Sequence, residues 1–528
     1  MILNYSAKRQ ISDGSLTMPD KDDLMKLLSS GKSEKESGGK DALMSLLSPG
    51  KSKTPEKIID SYNNVTIADT KGTLYVYKVN LPHLTAADRG IIDSIQKVAT
   101  KIIDLRKESL DPQARKAKLK QDIEELIAKS STIRAPKQKM EAYADIVSRE
   151  MGGYGLIDYL LDDDDLEEVM IVPPDRDVYV FHRKYGVLAT NILLDSDEYV
   201  RNIIERIARD VGRRIDTSFP LLDARLPSGD RVNATLKPAS VDGPSLTIRK
   251  FREDPYTMVD MLNFDTLDSE AAAFLWFCTE GMRAYPANIL VSGGTSSGKT
   301  TFLNCLSQFI RPTDRVLSIE DTAELQLPLE HWIRMETRPP GIEGTGEISM
   351  DVLLKNALRM RPDRIIVGEV RHSEAFTLFT AMNTGHQGSM GTIHANSTEE
   401  TLVRLMSPPM NVPEQMATAL NIIVVLSRIM VPKKGLVRKV AEIAEVTGTK
   451  KPELNILYRW NPFRDSLEPA SSRAEIKKRI SGFAGMTGKQ VDKEIQMRKK
   501  VLDAARKEDL NSLDRFSLFV HKYYEDHQ

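Results

Sequence analysis

Cysteine is almost missing from this chain: 528 residues carry two, Cys278 and Cys305. They stand far apart among apolar neighbours, so they read as buried thiols of a reducing compartment rather than as a disulfide framework. Without a Cys-x-x-Cys pair, a structural zinc site is disfavoured as well. Long hydrophobic runs are also lacking. The most apolar stretch, Ile422–Val431, is interrupted by Arg428 and falls well short of the ~20 residues a spanning helix needs. No charged-then-apolar signal pattern opens the sequence. A cytoplasmic chain is expected, which leaves room for work against a membrane through partners. The third absence is a charge excess of one sign. The 74 Lys and Arg are matched by 75 Asp and Glu, for a net charge of −1. A dedicated nucleic-acid binder shows a basic surplus, so no nucleic acid is expected as a partner.

What is present is an ordinary globular balance, 41% hydrophobic and 28% charged, over a length that implies two or three domains. Residues 1–58 are rich in Ser, Gly, Lys, Asp and Glu and read as a flexible arm. The arm contains a duplicated motif. Leu24-Met25-Lys26-Leu27-Leu28-Ser29-Ser30-Gly31-Lys32-Ser33 is matched by Leu43-Met44-Ser45-Leu46-Leu47-Ser48-Pro49-Gly50-Lys51-Ser52. It is either a duplication without consequence or a pair of short helical docking motifs for one groove, gaining avidity through the tether. Its Gly-Lys-Ser ending lacks the first glycine and the preceding strand of a phosphate loop. Residues 59–255 read as an N-terminal domain, with a strand near Tyr77 and helical periodicity over 86–129. Further strands at 170–172 and 178–181 are joined by a Pro173-Pro174-Asp175 turn. The carboxylates Asp162, Asp163, Asp164 and Asp165 read as a solvated helix end rather than a metal site. Residues 256–265 form a hinge linker, and from 266 helix and strand patterns alternate as in an α/β domain with a largely parallel sheet. The tail of 466–528 is polar, helical by periodicity and expected to pack on that domain.

The strongest pattern follows the short apolar run Asn288-Ile289-Leu290-Val291-Ser292. Gly293-Gly294-Thr295-Ser296-Ser297-Gly298-Lys299-Thr300 satisfies G-x-x-x-x-G-K-[ST], and a helix begins at Thr301-Phe302-Leu303. Glycines let backbone N–H groups wrap a phosphate, and the helix aims its N-terminus at the anion. Lys299 suits β- and γ-phosphate charge, and the Thr300 hydroxyl suits Mg²⁺. Downstream, Val316-Leu317-Ser318-Ile319 ends in Glu320-Asp321-Thr322-Ala323-Glu324, so Glu320 and Glu324 are candidates to orient and deprotonate a water. Arg364-Ile365-Ile366-Val367-Gly368-Glu369 puts Glu369 where an Asp usually stands, with Mg²⁺ contacted through water. Residues 385–396 hold His386 and His394 among glycines. Both are candidate γ-phosphate sensors, with His394 at a strand end the better placed.

Taken together, these four ordered motifs resemble the secretion ATPase superfamily of type II and type IV secretion and type IV pilus systems. They correspond to its Walker A loop, Asp box, Walker B strand and His box. Within it the chain is most similar to the archaellum motor ATPases, on the string Arg338-Pro339-Pro340-Gly341-Ile342-Glu343-Gly344-Thr345-Gly346 leading to Leu358-Arg359-Met360-Arg361-Pro362-Asp363-Arg364. The likeness runs from about residue 60 to the C-terminus, and the tetra-cysteine element of many bacterial assembly ATPases is absent. The resemblance implies a RecA-like C-terminal domain, a partly PAS-like α/β N-terminal domain and a homo-hexamer that binds ATP and Mg²⁺ in the interdomain cleft. It also implies that Arg225, Arg231 and Arg249 reach the phosphates, and that the ring sits at the inner face of the cell membrane through a platform protein and other cytoplasmic motor components. The alternatives are a pilus or type II secretion assembly ATPase, a nucleotide-regulated scaffold and a nucleic-acid translocase.

Overall fold

A computed structural model describes residues 56–527, apart from 71, 81–84, 104–111, 131–132, 174–176, 195, 253, 342–344, 432–434 and 472. The duplicated motif of the arm, most of the Pro173-Pro174-Asp175 turn and the centre of the 338–346 string lie outside the described residues.

The first sheet is built from alternating strands: β1 (Lys57–Tyr62), β2 (Val65–Asp69), β3 (Val76–Val79), β4 (Leu166–Ile171), β5 (Asp177–His182), β6 (Gly186–Leu193), β7 (Leu221–Arg225), β8 (Arg231–Thr235) and β9 (Ser245–Arg249). Their order is β1-β2-β3-β6-β5-β4-β9-β8-β7. Period-2 burial shows in β6, where Leu188, Thr190 and Ile192 are buried and Asn191 and Leu193 are exposed. Helix Asp197–Asp210 covers the buried face with Val200, Ile203, Ile204 and Ile207, a 3.6-residue stripe capped by Ser196. The helical periodicity expected over 86–129 divides into two helices, Ala86–Ile102 and Pro112–Lys129. With Met140–Gly152 they form their own small core around Ile95, Ile123, Tyr143 and Val147.

The second sheet contains β10 (Ile289–Gly293), β11 (Val316–Glu320), β12 (Trp332–Glu336), β13 (Arg364–Val370), β14 (Met390–Ile393), β15 (Ile422–Val431), β16 (Gly435–Thr447), β17 (Glu453–Asn461) and β18 (Ser466–Pro469). The order is β12-β11-β13-β14-β10-β15-β16-β17-β18, parallel through β15 and antiparallel beyond it. The parallel strands are buried on both faces, as helical crossovers require. In β10, Ile289 and Val291 enter one core while Leu290 enters the other. This is the RecA-like, doubly wound half of an α/β chain, and β10 lies near its middle.

Residues 256–265 contain a packed helix, Met258–Asn263, with Met258, Val259, Met261 and Leu262 all buried and a Thr257–Asp260 capping box at its start. The tail opens with a strand, β18, and continues as helices Glu475–Ala484, Gly488–Lys507 and Leu513–Asp526. Those helices bury Ile480, Val491, Leu502 and Phe516 against helix Ser269–Glu280 and its neighbours. Arg498 is sunk at that junction, 3.1 Å from Glu280, and both side chains are almost fully buried.

Candidate functional site

Because β10, β11, β13 and β14 are parallel, their carboxyl ends share one edge, and every motif after those strands arrives there. β10 runs straight into Gly293, whose φ is +156°. A Cβ there would lie 2.4 Å from Ser297 Oγ and 2.5 Å from Leu426 O, so only glycine fits. Gly298 closes the loop at φ +90°, and Ser297 Oγ donates to Gly294 O at 2.9 Å. Helix Lys299–Ser307 follows, and its first ladder bond runs from Phe302 N–H to Gly298 O at 2.8 Å. The N–H groups of Lys299, Thr300 and Thr301 precede that bond and belong to the free donors of a helix start. Thr295 and Ser296, at the loop tip, are exposed.

Lys299 is buried within this cradle. Its Nζ donates to Gly294 O at 3.0 Å and lies 3.2 Å from His394 Nδ1. Across the ring, His394 Nε2 is 3.0 Å from Glu369 Oε1, and Glu369 Oε2 accepts from Arg371 Nη2 at 2.7 Å. An ammonium only donates, so Nδ1 accepts and the imidazole proton is left to Nε2; Glu369 Oε1 lies close to that nitrogen without a hydrogen bond to it. Burial, together with the Lys299 charge, holds His394 below its ordinary pKa, which keeps it neutral. Burial also pushes Lys299 down to about 8, against the pull of Glu369. In Glu369 burial acts upward, but the Arg371 hydrogen bond and the nearby positive charges win, and its pKa falls below the usual carboxylate value. The result is a chain of alternating partners, Lys299–His394–Glu369–Arg371, beside an open pocket of about 450 Å³ lined by Thr295, Glu369, Arg371, His394 and Arg404.

The two acids after β11 separate in role. Glu320 is buried; one carboxylate oxygen accepts from the N–H groups of Glu324 at 2.8 Å and Leu325 at 3.0 Å. The other oxygen is buried without a partner, and burial lifts the carboxyl to about 7. Gly368 makes room for it, since a Cβ there would meet Glu320 Cγ at 2.9 Å. Glu324 turns instead toward the first sheet, where its Oε1 is 3.3 Å from Arg231 Nη1. The three arginines expected from the N-terminal domain form one row. Arg225 pairs in register with Arg231 across β7 and β8, and Arg231 with Arg249 across β8 and β9; Glu168 of β4 continues the row beside Arg249. Arg225 also reaches Glu336 at 3.7 Å. Arg249 contributes a positive potential at Lys299.

His386 is not brought to this edge. It precedes β14 and His394 follows it, so the strand holds the two histidines at opposite ends. Two residues that sequence reasoning missed also belong here. Arg371 was marked only by its place two positions after Glu369. Arg438 carried no sequence signal, yet it bonds the loop: its Nε donates to Ser296 O at 3.1 Å. Among the described residues, no group of three or more His, Cys, Asp or Glu side chains forms a self-contained metal cluster. No described helix is long and apolar enough to cross a membrane.

A family model described as type II/IV secretion system protein matches residues 153–462, more than half of the chain and inclusive of the whole edge just described. The chain belongs to the type II/IV secretion system protein family. Its relatives include the uncharacterised protein MJ0781 of Methanocaldococcus jannaschii, 54% identical over 243 residues that make up 46% of this chain and 33% of that protein. The match thus spans about a third of that relative's length. MJ0900 of the same organism is 32% identical over 380 residues, 70% of this chain and 67% of its own length. The type IV secretion system protein PtlH of Bordetella pertussis is 37% identical over 228 residues, 39% of this chain and 67% of PtlH.

For this secretion-family chain, a nucleoside triphosphate with Mg²⁺ is the ligand its motifs imply, and the donor set fits. The glycine cradle admits no side chain at Gly293, and free helix-start N–H groups surround a buried ammonium. Glu369 stays ionised beside the loop and is able to take a metal-bound water.

Proposed function

We propose that the chain is an ATPase that hydrolyses ATP with Mg²⁺ and works as a homo-hexameric motor, powering assembly and rotation of the archaellum at the inner face of the cell membrane. The observation that carries the enzymatic part is the run Lys299–His394–Glu369 at the mouth of the phosphate loop. Lys299 and the N–H groups of the loop bind the β- and γ-phosphates. The Thr300 hydroxyl and, through water, Glu369 hold Mg²⁺, which when bound neutralises phosphate charge. Glu320 takes the proton of the attacking water on its unpartnered oxygen, because a carboxyl near pH 7 is matched to that task. His394 keeps Lys299 and Glu369 at a fixed separation. Arg231, with Arg249 beside it, leaves Glu324 to stabilise charge that develops on the transferred phosphate.

Purified protein with Mg²⁺ is expected to hydrolyse ATP, and Lys299→Ala or Glu369→Ala to lose nearly all of it. Normal turnover in both variants sinks the assignment, and turnover that depends on DNA or RNA points to a translocase instead. The machine served has a second reading, a pilus or secretion assembly system, favoured by the likeness to PtlH. Co-purification with archaellum components or with a pilus platform separates the two.

A further inference from the structure

We propose that Arg438 is a positioning residue that straps the phosphate loop to the first sheet through Glu167, so that the loop tip and the arginine row move together. Its guanidinium is used from two sides. Nε donates to the carbonyl of Ser296 at 3.1 Å, while Nη2 and Nη1 reach Glu167 Oε2 at 3.0 Å and Oε1 at 3.5 Å. Ser296 sits at the loop tip in left-handed backbone, φ +58°, a conformation that a serine holds only when its surroundings fix it. The Arg438 stem lies against the closing glycine, because a Cβ on Gly298 would be 3.4 Å from Arg438 Cδ.

Arg438 and Glu167 are each about a third exposed, so their ion pair alone is weak; the neighbours of Arg438 make it a joint. In β16 the next residue, Lys439, is buried and bonds Asp265 O at 2.9 Å, and Val440 N–H bonds Thr266 O at 2.8 Å. Three consecutive residues thus hold the loop, the first sheet and the segment that connects the two sheets. β16 pairs with β15 through a register shift between Val425 and Leu426, the kind of bulge that re-aims side chains beside a site. On the other side, Glu167 precedes Glu168, the register neighbour of Arg249, which lies opposite Arg231. A displacement of the loop tip is therefore handed to the strand that positions the arginines, without Arg438 touching a nucleotide. A lysine has one charged nitrogen and cannot serve both ends of the strap.

The inference rests on the ATPase reading above. The test compares wild type with Arg438→Lys, Glu167→Gln and the double variant. Each single change is expected to lower kcat about tenfold while the Kd for ADP stays within about twofold, because geometry is lost and not phosphate contact. The double variant is expected to be no worse than either single one, as for two ends of one link. In hydrogen exchange, ADP should protect both the loop and β4 in the wild type, and the loop alone in the variants. Unchanged kcat in both single variants overturns the strap. So does a Kd for ADP that weakens in step with kcat/KM in Arg438→Lys while Glu167→Gln is silent. Failure of the wild type to bind nucleotide sinks the ATPase reading instead. The strap is then judged on the nucleotide-free protein, where Arg438→Lys must speed exchange in both the loop and β4 or the proposal falls.

Discussion

Replacing Lys299 by Met should make the nucleotide-free protein more stable while it destroys nucleotide binding. Burial lowers the Lys299 pKa from 10.5 to about 8. The unfolded chain keeps the proton to the higher pH, so folding at neutral pH forces a charge into a site that disfavours it. A difference of this size corresponds to an upper bound of about 3 kcal/mol. Partial solvent contact at the loop mouth reduces it to about 2 kcal/mol, and loss of the hydrogen bonds to Gly294 O and His394 removes about 1 kcal/mol more. A net gain of about 1 kcal/mol is left, worth ~2 °C in a chain of this length. The sign with pH is fixed. The wild-type deficit is complete below about pH 8 and fades as pH rises toward 10.5, because only above the folded pKa does the native lysine shed its proton. Thermal melts of both proteins without nucleotide, at about pH 7 and about pH 9.5, read the difference directly, and ATP should raise the wild-type melting point only. A variant that melts well below wild type at neutral pH, or a gap that does not narrow at high pH, refutes the claim that the loop stores a desolvated charge.

The remaining predictions address other parts of the chain. If Glu320 is the base, kcat should fall on the acid side with an apparent pKa near 7, since protonation removes the acceptor; a flat profile between about pH 5.5 and 8 would place the base elsewhere. Arg498→Ala should destabilise by about 3–5 kcal/mol, because it leaves the Glu280 carboxylate buried without its cation. Pairing that change with Glu280→Gln should recover much of the loss in urea melts. Deletion of residues 1–58 should leave ATPase activity intact and weaken partner capture. Equal pull-down by the full and truncated chains would remove the docking role of the duplicated motif.

The parts of the site that were legible in the sequence are those whose geometry is local. A glycine loop between a strand and a helix specifies its own shape, and so does a carboxylate at a strand end. Parallel pairing then brings Lys299, Glu320, Glu369 and His394 to one edge without further instruction. The parts that were not legible join residues distant in sequence. Arg231 meets Glu324 93 residues away, and Arg438 meets Ser296 across 142 residues and Glu167 across 271. No periodicity encodes those distances, because they depend on how two sheets face one another. The helix at Met258–Asn263 was a different omission. Its capping box, Thr257 with Asp260, is written in the sequence, but six residues are too few for helical periodicity to stand out. His386 and His394 share a glycine-rich string, and only the strand between them decides that one faces the loop.

The arginine row bears on how hydrolysis would be turned into movement. Like charges directly opposite one another across adjacent strands are unfavourable, and β7, β8 and β9 place three in succession. Their carboxylate partners do little to compensate: Glu324 at 3.3 Å and Glu336 at 3.7 Å form loose pairs with a quarter or more of each side chain exposed, the kind worth at most about 1 kcal/mol. In the second sheet the resting contacts are tighter but also exchangeable: Arg371 donates to Glu369 at 2.7 Å, and Lys299 donates to the neutral His394 ring at 3.2 Å. Under the proposed reading, each cation that a triphosphate would recruit is held at rest by a replaceable partner. Arrival of a stronger anion exchanges those partners together, and loss of the γ-phosphate returns them. The alternation needs no large stored strain. It needs exchangeable resting partners on two sheets, joined by a short connecting segment and a strap.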